Sequence, residues 1–432
     1  MDKRSKSQIV KVVIVGGGFA GINAYLELAK AFKKEQGRVQ ITLVNEQDHF
    51  LFVPLIHEVV GGNLFPYDVR QPLRQVTDAR VVKLMEGCAT LVDADKKEVT
   101  VQIKKNHIQR RPKPMRLRYD YLVLAGGSQT EYYGIEGAQE YGLPLKNLYD
   151  AANVKNAVID VFAQASGKSP EEQSNLLRFV IVGGGASGVE IAGELADLMN
   201  TELRQGFDFN QQCCEIVLIE GGSHLLGGMP EWFHRKAVDN LMKKGHIRIL
   251  LNRFVTRVTD RGVQAGKEFI EASAVIWVAG VRARPLEIRS ERKIERDPKD
   301  RIRVTNHLTL PEYENIFVAG DQAWILDKEN EKSYPMRAQF AVREGRTAGR
   351  NIIRLIRGKK MHQFAWSEKG IIVSLGQGGG LASVLGIRWS GLFAWVIYRV
   401  AYLFNLVGKK AKLKTAWDWS LHTFLPRDIS KL

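Results

Sequence analysis

The sequence predicts an α/β fold of two doubly wound units followed by a C-terminal helical segment. Three observations predict it. A β-branched strand, a glycine-rich turn and an apolar helical series occur in that order twice. Each is followed by further short apolar runs that end in glycine, and near the C-terminus the composition changes to aromatic residues interleaved with cations. At 432 residues the chain exceeds what one hydrophobic core usually spans, so two domains and an appendage are expected.

Hydrophobic residues make up 45% and charged residues 25%, which excludes a disordered chain and a multi-span membrane protein. The formal charge of +16 implies attraction to something anionic: nucleic acid, a lipid surface or a phosphorylated cofactor. Three cysteines, Cys88, Cys213 and Cys214, are too few for a disulfide framework and suit a reducing compartment. The first ten residues are polar, and Val12 to Val15 runs straight into glycines rather than forming a signal-peptide core, so no export is expected.

Lys11 to Val15 reads as a strand, Gly16-Gly-Gly18-Phe19-Ala20-Gly21 as a tight turn, and Ile22, Leu26 and Ala29 as the apolar face of a helix. This is the Rossmann-like dinucleotide-binding grammar: Gly16 lets the chain turn, Gly18 lets the backbone approach a pyrophosphate, and Gly21 lets helix and strand pack closely. The phosphates then meet free N–H groups at the positive end of the helix. Gln40 to Asn45 reads as the second strand, whose end faces the adenosine ribose. Asn45 stands where an acid is usual and Glu46 follows, so either side chain can accept from the ribose hydroxyls.

The same order returns with Arg178 to Val182 as strand, Gly183-Gly-Gly185-Ala186-Ser187-Gly188 as turn, and Val189 to Leu195 as helix. One such match is weak evidence; two in their proper contexts point to two dinucleotide sites. Cys214 to Glu220 reads as the second strand of this unit. Glu220 would accept from a ribose 2′-hydroxyl and repel a 2′-phosphate, favouring NADH over NADPH. Cys213 and Cys214 read as buried thiols rather than redox groups.

Tyr119 to Ser128 is a returning strand that ends in Gly126 and Gly127, and Ala274 to Gly280 plays the same part in the second unit. Asn315 to Asp321 is a third buried strand ending Ala-Gly320-Asp321. Ligands of open α/β sheets lie outside the carboxyl ends of strands, so Asp321 is placed for a polyol hydroxyl.

This order of motifs resembles the two-dinucleotide-binding-domain flavoproteins over about residues 10 to 350. The resemblance implies FAD on the first turn, with Asp321 on its ribityl chain. The chain has no cysteine pair of the kind that disulfide reductases or sulfide:quinone oxidoreductases use. Three further stretches resemble the type II NADH dehydrogenases, the single-subunit NADH:quinone oxidoreductases. Phe52-Val-Pro54-Leu-Ile56, followed by Gly61-Gly62, is similar to their segment near the flavin ring. Ala338-Gln339-Phe-Ala341-Val-Arg343 is similar to the helix that lines the quinone site, with Arg343 where glutamine is usual. Glu190 is similar to the glutamate beside the nicotinamide.

From Leu385 to Thr415 there are six basic residues and no acids, interleaved with Trp389, Phe393, Trp395, Tyr398, Tyr402 and Phe404. Arg399 divides the apolar stretch into uncharged runs of ten and nine residues, short of the roughly 18 that a spanning helix needs. A central Arg adds about 2.5 to 3.5 kcal/mol to spanning. The composition is interfacial: Arg399 is expected to reach lipid phosphates, and six cations near an anionic leaflet supply roughly 4 to 6 kcal/mol. A buried dimerisation helix is the alternative. The basic run Lys104 to Arg118 reads as a solvated hairpin, and no nucleic-acid-binding module is recognisable.

The expected architecture is therefore two Rossmann-like dinucleotide-binding domains, for FAD and NADH, plus a C-terminal membrane-associating helical segment. FAD-binding parts are expected at 1–150 and 301–360, an NADH-binding domain at 151–300 and the anchoring segment at 361–432. The resemblance implies hydride transfer from NADH to FAD, with nicotinamide stacked on flavin, and two electrons onward to a membrane quinone. Glu190, Gln339 and Arg343 carry the site roles. It also implies a peripheral protein at the cytoplasmic face of the inner membrane, as a homodimer. A soluble reductase with a protein acceptor and a nucleotide-sensing oligomeric protein are the rival readings.

Overall fold

The computed structural model describes residues 9–35, 37–105, 113–327, 333–368 and 370–432. By compactness these fall into two units. The first comprises Met1–Leu51, Arg70–Gln129 and Val281–Ser367, and the second Phe52–Val69, Thr130–Gly280 and Glu368–Leu432. The cuts at 129/130 and 280/281 differ from a partition by ligand at 150/151 and 300/301. The helices that position the sites are α1 (Phe19–Phe32), α2 (Ile56–Val60), α3 (Leu148–Ala165), α4 (Ala186–Asn200), α5 (Ala338–Ile356), α6 (Leu392–Asn405) and α7 (Lys409–Phe424).

In the first unit five parallel strands run in the order Tyr313–Val318, Tyr121–Leu124, Val10–Val15, Val39–Asn45 and Val82–Asp93. Parallel strands are covered on both faces, which is why they read as unbroken Val, Ile and Leu runs. Glu98–Ile103 and Met115–Arg118 extend the sheet as an antiparallel meander. Of the basic run expected as a hairpin, residues 106–112 lie outside the described residues and Met115–Arg118 is the edge strand.

Helix α5 returns from the far end of the sequence and lies on α1. Gly345 makes that approach possible, because a methyl group there would collide with the backbone of Ala20, and Gly349 sits against Ala24 in the same way. Polar pairs then fix the register: Arg346 Nε donates to Asn23 Oδ1 at 3.0 Å, and Arg350 pairs with Glu27 at 2.9 Å. The contact carries Ala-Gly320-Asp321 to the start of α1, where Gly320 faces the Ala20 methyl.

The second unit repeats the layout with Gly142–Pro144, Ala274–Trp277, Arg178–Val182, Glu215–Ile219 and Ile247–Leu250, all parallel. In both units the strand leading into the glycine turn is flanked by its ribose-side strand and by the returning strand. An antiparallel sheet, Val255–Thr259, Gly262–Ala265 and Glu268–Glu271, closes one side of a core built on Val180, Val217, Ile219 and Trp277.

The C-terminal segment departs from the purely helical expectation. Gly370–Ser374, Gly380–Val384 and Ile387–Ser390 form an antiparallel sheet, and α6 packs on it where Gly380 leaves room for the backbone of Ala394 and Trp395. Among the described residues no helix is long and apolar enough to cross a membrane. Arg399 also corrects the expectation that it reaches for lipid phosphates. It turns inward, its guanidinium 3.7 Å from the Trp395 ring and 5.1 Å from the Trp419 ring, and it donates to the Trp419 carbonyl at 3.3 Å. A cation between two indole faces is held electrostatically where water is scarce.

Substituting Gly345→Ala is expected to force α5 off α1 and to cost about 1–3 kcal/mol by overpacking. Denaturant unfolding of the purified variant measures it, with an unchanged midpoint counting against the close approach.

Candidate functional site

The first cradle is built by its backbone. Gly16 has φ +101°, where side chains are strained, and a methyl there would strike the Ala125 carbonyl on the returning strand. Gly21 lies directly over the Gly16 carbonyl, so helix and strand close on each other. Gly18 is exposed, and a Cβ there would meet nothing within 4 Å. Helix α1 has no side-chain cap, and the first amides of a helix have no acceptor within the helix itself. A concave, uncapped helix start of this kind fits a pyrophosphate.

Asn45 and Glu46 separate in role. Asn45 Oδ1 accepts from the Gly17 amide at 2.8 Å and its Nδ2 donates to the Gln47 carbonyl, so this side chain braces the turn from the second strand. Glu46 is drawn into an ion pair with Arg284 at 2.7 Å. Asp321 accepts a short hydrogen bond from Ser128 Oγ. Gln322, which sequence reasoning missed, bridges the same lip: its Oε1 accepts from the Gly126 amide and its Nε2 donates to the Arg284 carbonyl, both at 3.1 Å. Glu344 accepts from the Gly320 amide at 2.5 Å, and burial pushes its carboxyl up to about 8.

Gln339 and Arg343 lie on the first two turns of α5. Gln339 is half-buried. Arg343 stacks over the Trp366 ring at 4.2 Å and donates to the Ser367 carbonyl, while Trp366 stacks on Phe340 at 3.6 Å. The cation that replaces glutamine in the resemblance is therefore tied to an aromatic pile.

The second cradle repeats the first residue for residue. Gly183 has φ +112° against Ala279, Gly188 covers the Gly183 carbonyl, and Gly185 is exposed with nothing within 4 Å of its Cβ position. Helix α4 starts at Ala186 and Ser187 without a side-chain cap. Glu220 takes the Asn45 position: Oε2 accepts from the Gly184 amide at 2.6 Å and Oε1 from the Gly222 amide at 2.7 Å. Each carboxylate oxygen keeps a second lone pair for a ribose hydroxyl. Gly280 accepts at its carbonyl from the Glu131 amide at 3.0 Å, which ties the returning strand to the next segment.

Glu190, on the first turns of α4, is buried. Its Oε1 accepts from the Ser374 amide at 3.4 Å and its Oε2 stands 3.7 Å from His57 Nδ1. Burial, reinforced by Glu58 and Glu194, pushes its carboxyl up to about 8. His57 comes from α2, just after the three-residue turn that holds Pro54. Phe52, at the start of that segment, packs edge-on against Tyr402 of α6 at 5.8 Å. None of His57, Glu58, Tyr398 or Trp419 was singled out chemically by the sequence, because only folding brings α2, α4, α6 and α7 together.

The last residues run back over this unit. Arg427 is buried and reaches Glu194 at 3.3 Å, Glu202 at 3.5 Å, the Gly61 carbonyl at 3.4 Å and Gln377 Oε1 at 2.7 Å. Asp428 pairs with Lys155 of α3 at 3.3 Å. Below α7, Asp68 Oδ1 and Asp418 Oδ2 are buried with no hydrogen-bond donor, which the acid form of Asp68 would supply. Burial first, then Asp418, pushes Asp68 up to about 7, against the Phe65 amide and Lys414. Cys213 and Cys214 are buried and free, and Cys88 is free and half-buried. Burial pushes Cys214 up to about 12, where a thiol is inert.

Because the Asp68 carboxyl is raised in the folded state, its contribution is complete below the unfolded value of about 4 and is lost as pH rises through about 7. Thermal unfolding of Asp68→Asn is expected to vary less between pH 5 and 8 than that of the parent, about those pKa limits. Parallel curves would mean that the Asp68 carboxyl is not raised in the folded state.

Comparison with known proteins agrees with this geometry. A relative from Mycobacterium tuberculosis, a type II NADH:quinone oxidoreductase, is 29% identical over 428 residues, covering 96% of this chain and 88% of its own. A type II NADH:quinone oxidoreductase from Staphylococcus aureus is 28% identical over 380 residues, 87% of this chain and 90% of its own. Among solved structures, NDH2 from Plasmodium falciparum in complex with NADH superposes with a TM-score of 0.86 at 20% identity over 98% of this chain and all of that one. The sulfide:quinone oxidoreductase of Aquifex aeolicus gives 0.73 at 19% identity, covering 96% and 95%. The family model described as pyridine nucleotide-disulphide oxidoreductase matches residues 10–345; with both glycine cradles inside that span, the chain belongs to this family.

Proposed function

We propose that this protein is a type II NADH:quinone oxidoreductase, which takes a hydride from NADH and delivers two electrons to a membrane quinone. The observation that carries the reading is the pair of open cradles, each an uncapped helix start braced by a side chain from the second strand. Relatives named for that activity align over nearly the whole chain. FAD, bound in the first unit, supplies the chemistry by accepting the hydride and returning the electrons.

The residues divide the remaining work. The Gly16 to Gly21 turn holds the FAD pyrophosphate, Asp321 accepts from its ribityl hydroxyls, and Gly126 and Gly320 let backbone approach it. Pro54 fixes the turn before α2. The Gly183 to Gly188 turn holds NADH, Glu220 accepts from its adenosine ribose, and Glu190 positions the nicotinamide. Gln339 orients a quinone carbonyl, and Arg343, stacked on Trp366, sets a positive field nearby.

We place the protein at an anionic membrane surface, peripheral and on the cytoplasmic face. The support is a stripe of exposed apolar side chains on α6 and α7, with Phe393 76%, Phe404 74% and Trp417 65% exposed. Lys410 and Lys412 lie on the same helices. Large exposed apolar patches beside cations suit an acyl boundary under phosphate headgroups.

Stopped-flow absorbance tests the reaction: NADH is expected to bleach the flavin band, and a menaquinone or ubiquinone analogue to restore it. Bleaching without restoration would point to another acceptor. Glu220→Gln is expected to raise the NADPH rate relative to NADH by roughly tenfold, about 1.4 kcal/mol of lost repulsion, and an unchanged ratio would remove Glu220 from cofactor choice. Replacing Phe393 and Phe404 with serine is expected to lower binding to anionic vesicles by at least roughly tenfold, since each buried Phe is worth about 1.5–3 kcal/mol. A concentration-dependent doubling of mass without vesicle binding would assign the stripe to a homodimer instead.

A further inference from the structure

Tyr133 has a φ of +54°, in the left-handed region that a bulky side chain adopts only under strain. Gly134 follows at +66°, and the Ile135 amide donates to the Tyr132 carbonyl at 3.0 Å. Two positive φ values inside such a bond are the type I′ pattern, whose first central position is ordinarily Asn, Asp or Gly. Tyrosine costs conformational free energy there that those residues would not. Core burial does not offset that cost, since Tyr133 remains 55% exposed. Outliers of this kind cluster where a side chain has a ligand to hold.

Glu131 fastens the turn that carries this ring. Its amide donates to the Gly280 carbonyl at 3.0 Å, its carbonyl accepts from Trp277 Nε1 at 2.8 Å, and its carboxylate accepts from the Tyr133 amide at 2.8 Å. Trp277 ends the returning strand, which lies beside the strand that feeds the Gly183 turn, and Gly280 follows it. Tyr133 Oη lies over Gly280, where an added methyl would collide with it, and donates to the Ala279 carbonyl at 3.4 Å. That is longer than an O–H···O bond of full strength. Ala279 is also the residue that Gly183 packs against, so the phenol stands beside the glycine turn. Beyond that turn, on the second strand, Glu220 is near enough for its charge to act on the phenol. Burial first, then Glu131 and Glu220, raises the phenol above its ordinary range, so it keeps its proton and can donate.

We propose that Tyr133 is a further positioning residue for NADH, its phenol donating to a pyrophosphate oxygen held by the Gly183 to Gly188 turn. This rests on the reading of that turn as the NADH cradle. The amides at the start of α4 meet the pyrophosphate from the helix side, and the phenol supplies a donor from the side of the returning strand. A neutral acceptor, the Ala279 carbonyl, gives way to an anionic oxygen, which makes a shorter and stronger bond. No proton leaves the phenol and no covalent bond changes. Because the pyrophosphate takes no part in hydride transfer, the contact sets affinity and leaves the chemical step alone. A long side chain with a donor at its tip accounts for tyrosine at a turn position that suits asparagine.

Titration calorimetry on the FAD-loaded protein tests this with ADP-ribose, which carries the pyrophosphate and lacks the nicotinamide. Tyr133→Phe keeps the ring and removes the donor, and its Kd for ADP-ribose is expected to rise by roughly tenfold or more. In steady-state assays KM for NADH is expected to rise by a similar factor with kcat held, since what is lost is binding common to ground and transition states. Tyr132→Phe, which removes the neighbouring hydroxyl from a ring stacked on Trp277, should change neither. If Tyr133→Phe does not fold, Tyr133→Asn, which suits the left-handed backbone, is expected to weaken ADP-ribose binding to the same degree. Parental ADP-ribose affinity in a folded Tyr133 variant would overturn the proposal, as would a fall in kcat at unchanged KM. A parent that binds neither ADP-ribose nor NADH would overturn the NADH reading of the cradle instead.

Discussion

The constraint on which everything else depends is the contact between the first turn of a nucleotide helix and the strand that feeds it. Gly21 over the Gly16 carbonyl, and Gly188 over the Gly183 carbonyl, leave no room for a single carbon. That closeness points the first amides of the helix at the mouth of the turn, where a pyrophosphate gains both hydrogen bonds and the helix dipole. A side chain from the neighbouring strand, Asn45 in one unit and Glu220 in the other, then binds the second glycine's amide. The brace, rather than the negative charge, is what the two positions share, which explains why an asparagine can stand where an acid is usual.

Much of this was legible in the sequence. Period and composition located the strands at Val10–Val15, Val39–Asn45 and Arg178–Val182 to within one residue, and started Ala274–Trp277 correctly while running three residues past its end, because parallel strands must be apolar on both faces. The glycine spacing fixed both cradles for the same steric reason. Asp321 was expected to end the strand from Asn315; the strand is Tyr313–Val318 and Asp321 lies just beyond it, in the short turn Gly320–Gln322.

The remainder was not legible, for identifiable reasons. Strands Gly370–Ser374 and Gly380–Val384 are joined by a glycine-rich turn, and their apolar runs, Ile371 to Val373 and Leu381 to Ala382, are shorter than those of the nucleotide strands. Arg399 looked like a headgroup ligand because its neighbours along the chain are aromatic. Beside Trp395, one turn back on the same helix, its partners are Trp419 on α7 and the charge of Glu58 on α2, which are remote in sequence. Gln322 was invisible for the same reason, and Arg427, which resembles part of the family's C-terminal region, could be given no role: a polar side chain gains meaning from what folding buries beside it, and buried polar groups must be matched.

The C-terminal segment does two jobs with one set of helices. On α6 the outer face carries Phe393, Val396, Val400 and Phe404, while the inner face carries Tyr398 in contact with His57 and Glu58. On α7 the outer face carries Leu413 and Trp417, while Trp419 donates inward to Glu58 and Asp418 meets Asp68. A helix turn separates the two faces by only a few residues, so whatever seats the outer face also sets the inner donors. The buried tail makes the arrangement costly to disturb, since withdrawing Arg427 would strand Glu194 and Glu202 without their cation. The segment that looked like an appendage in the sequence is thus part of the wall around the buried acid of the second unit.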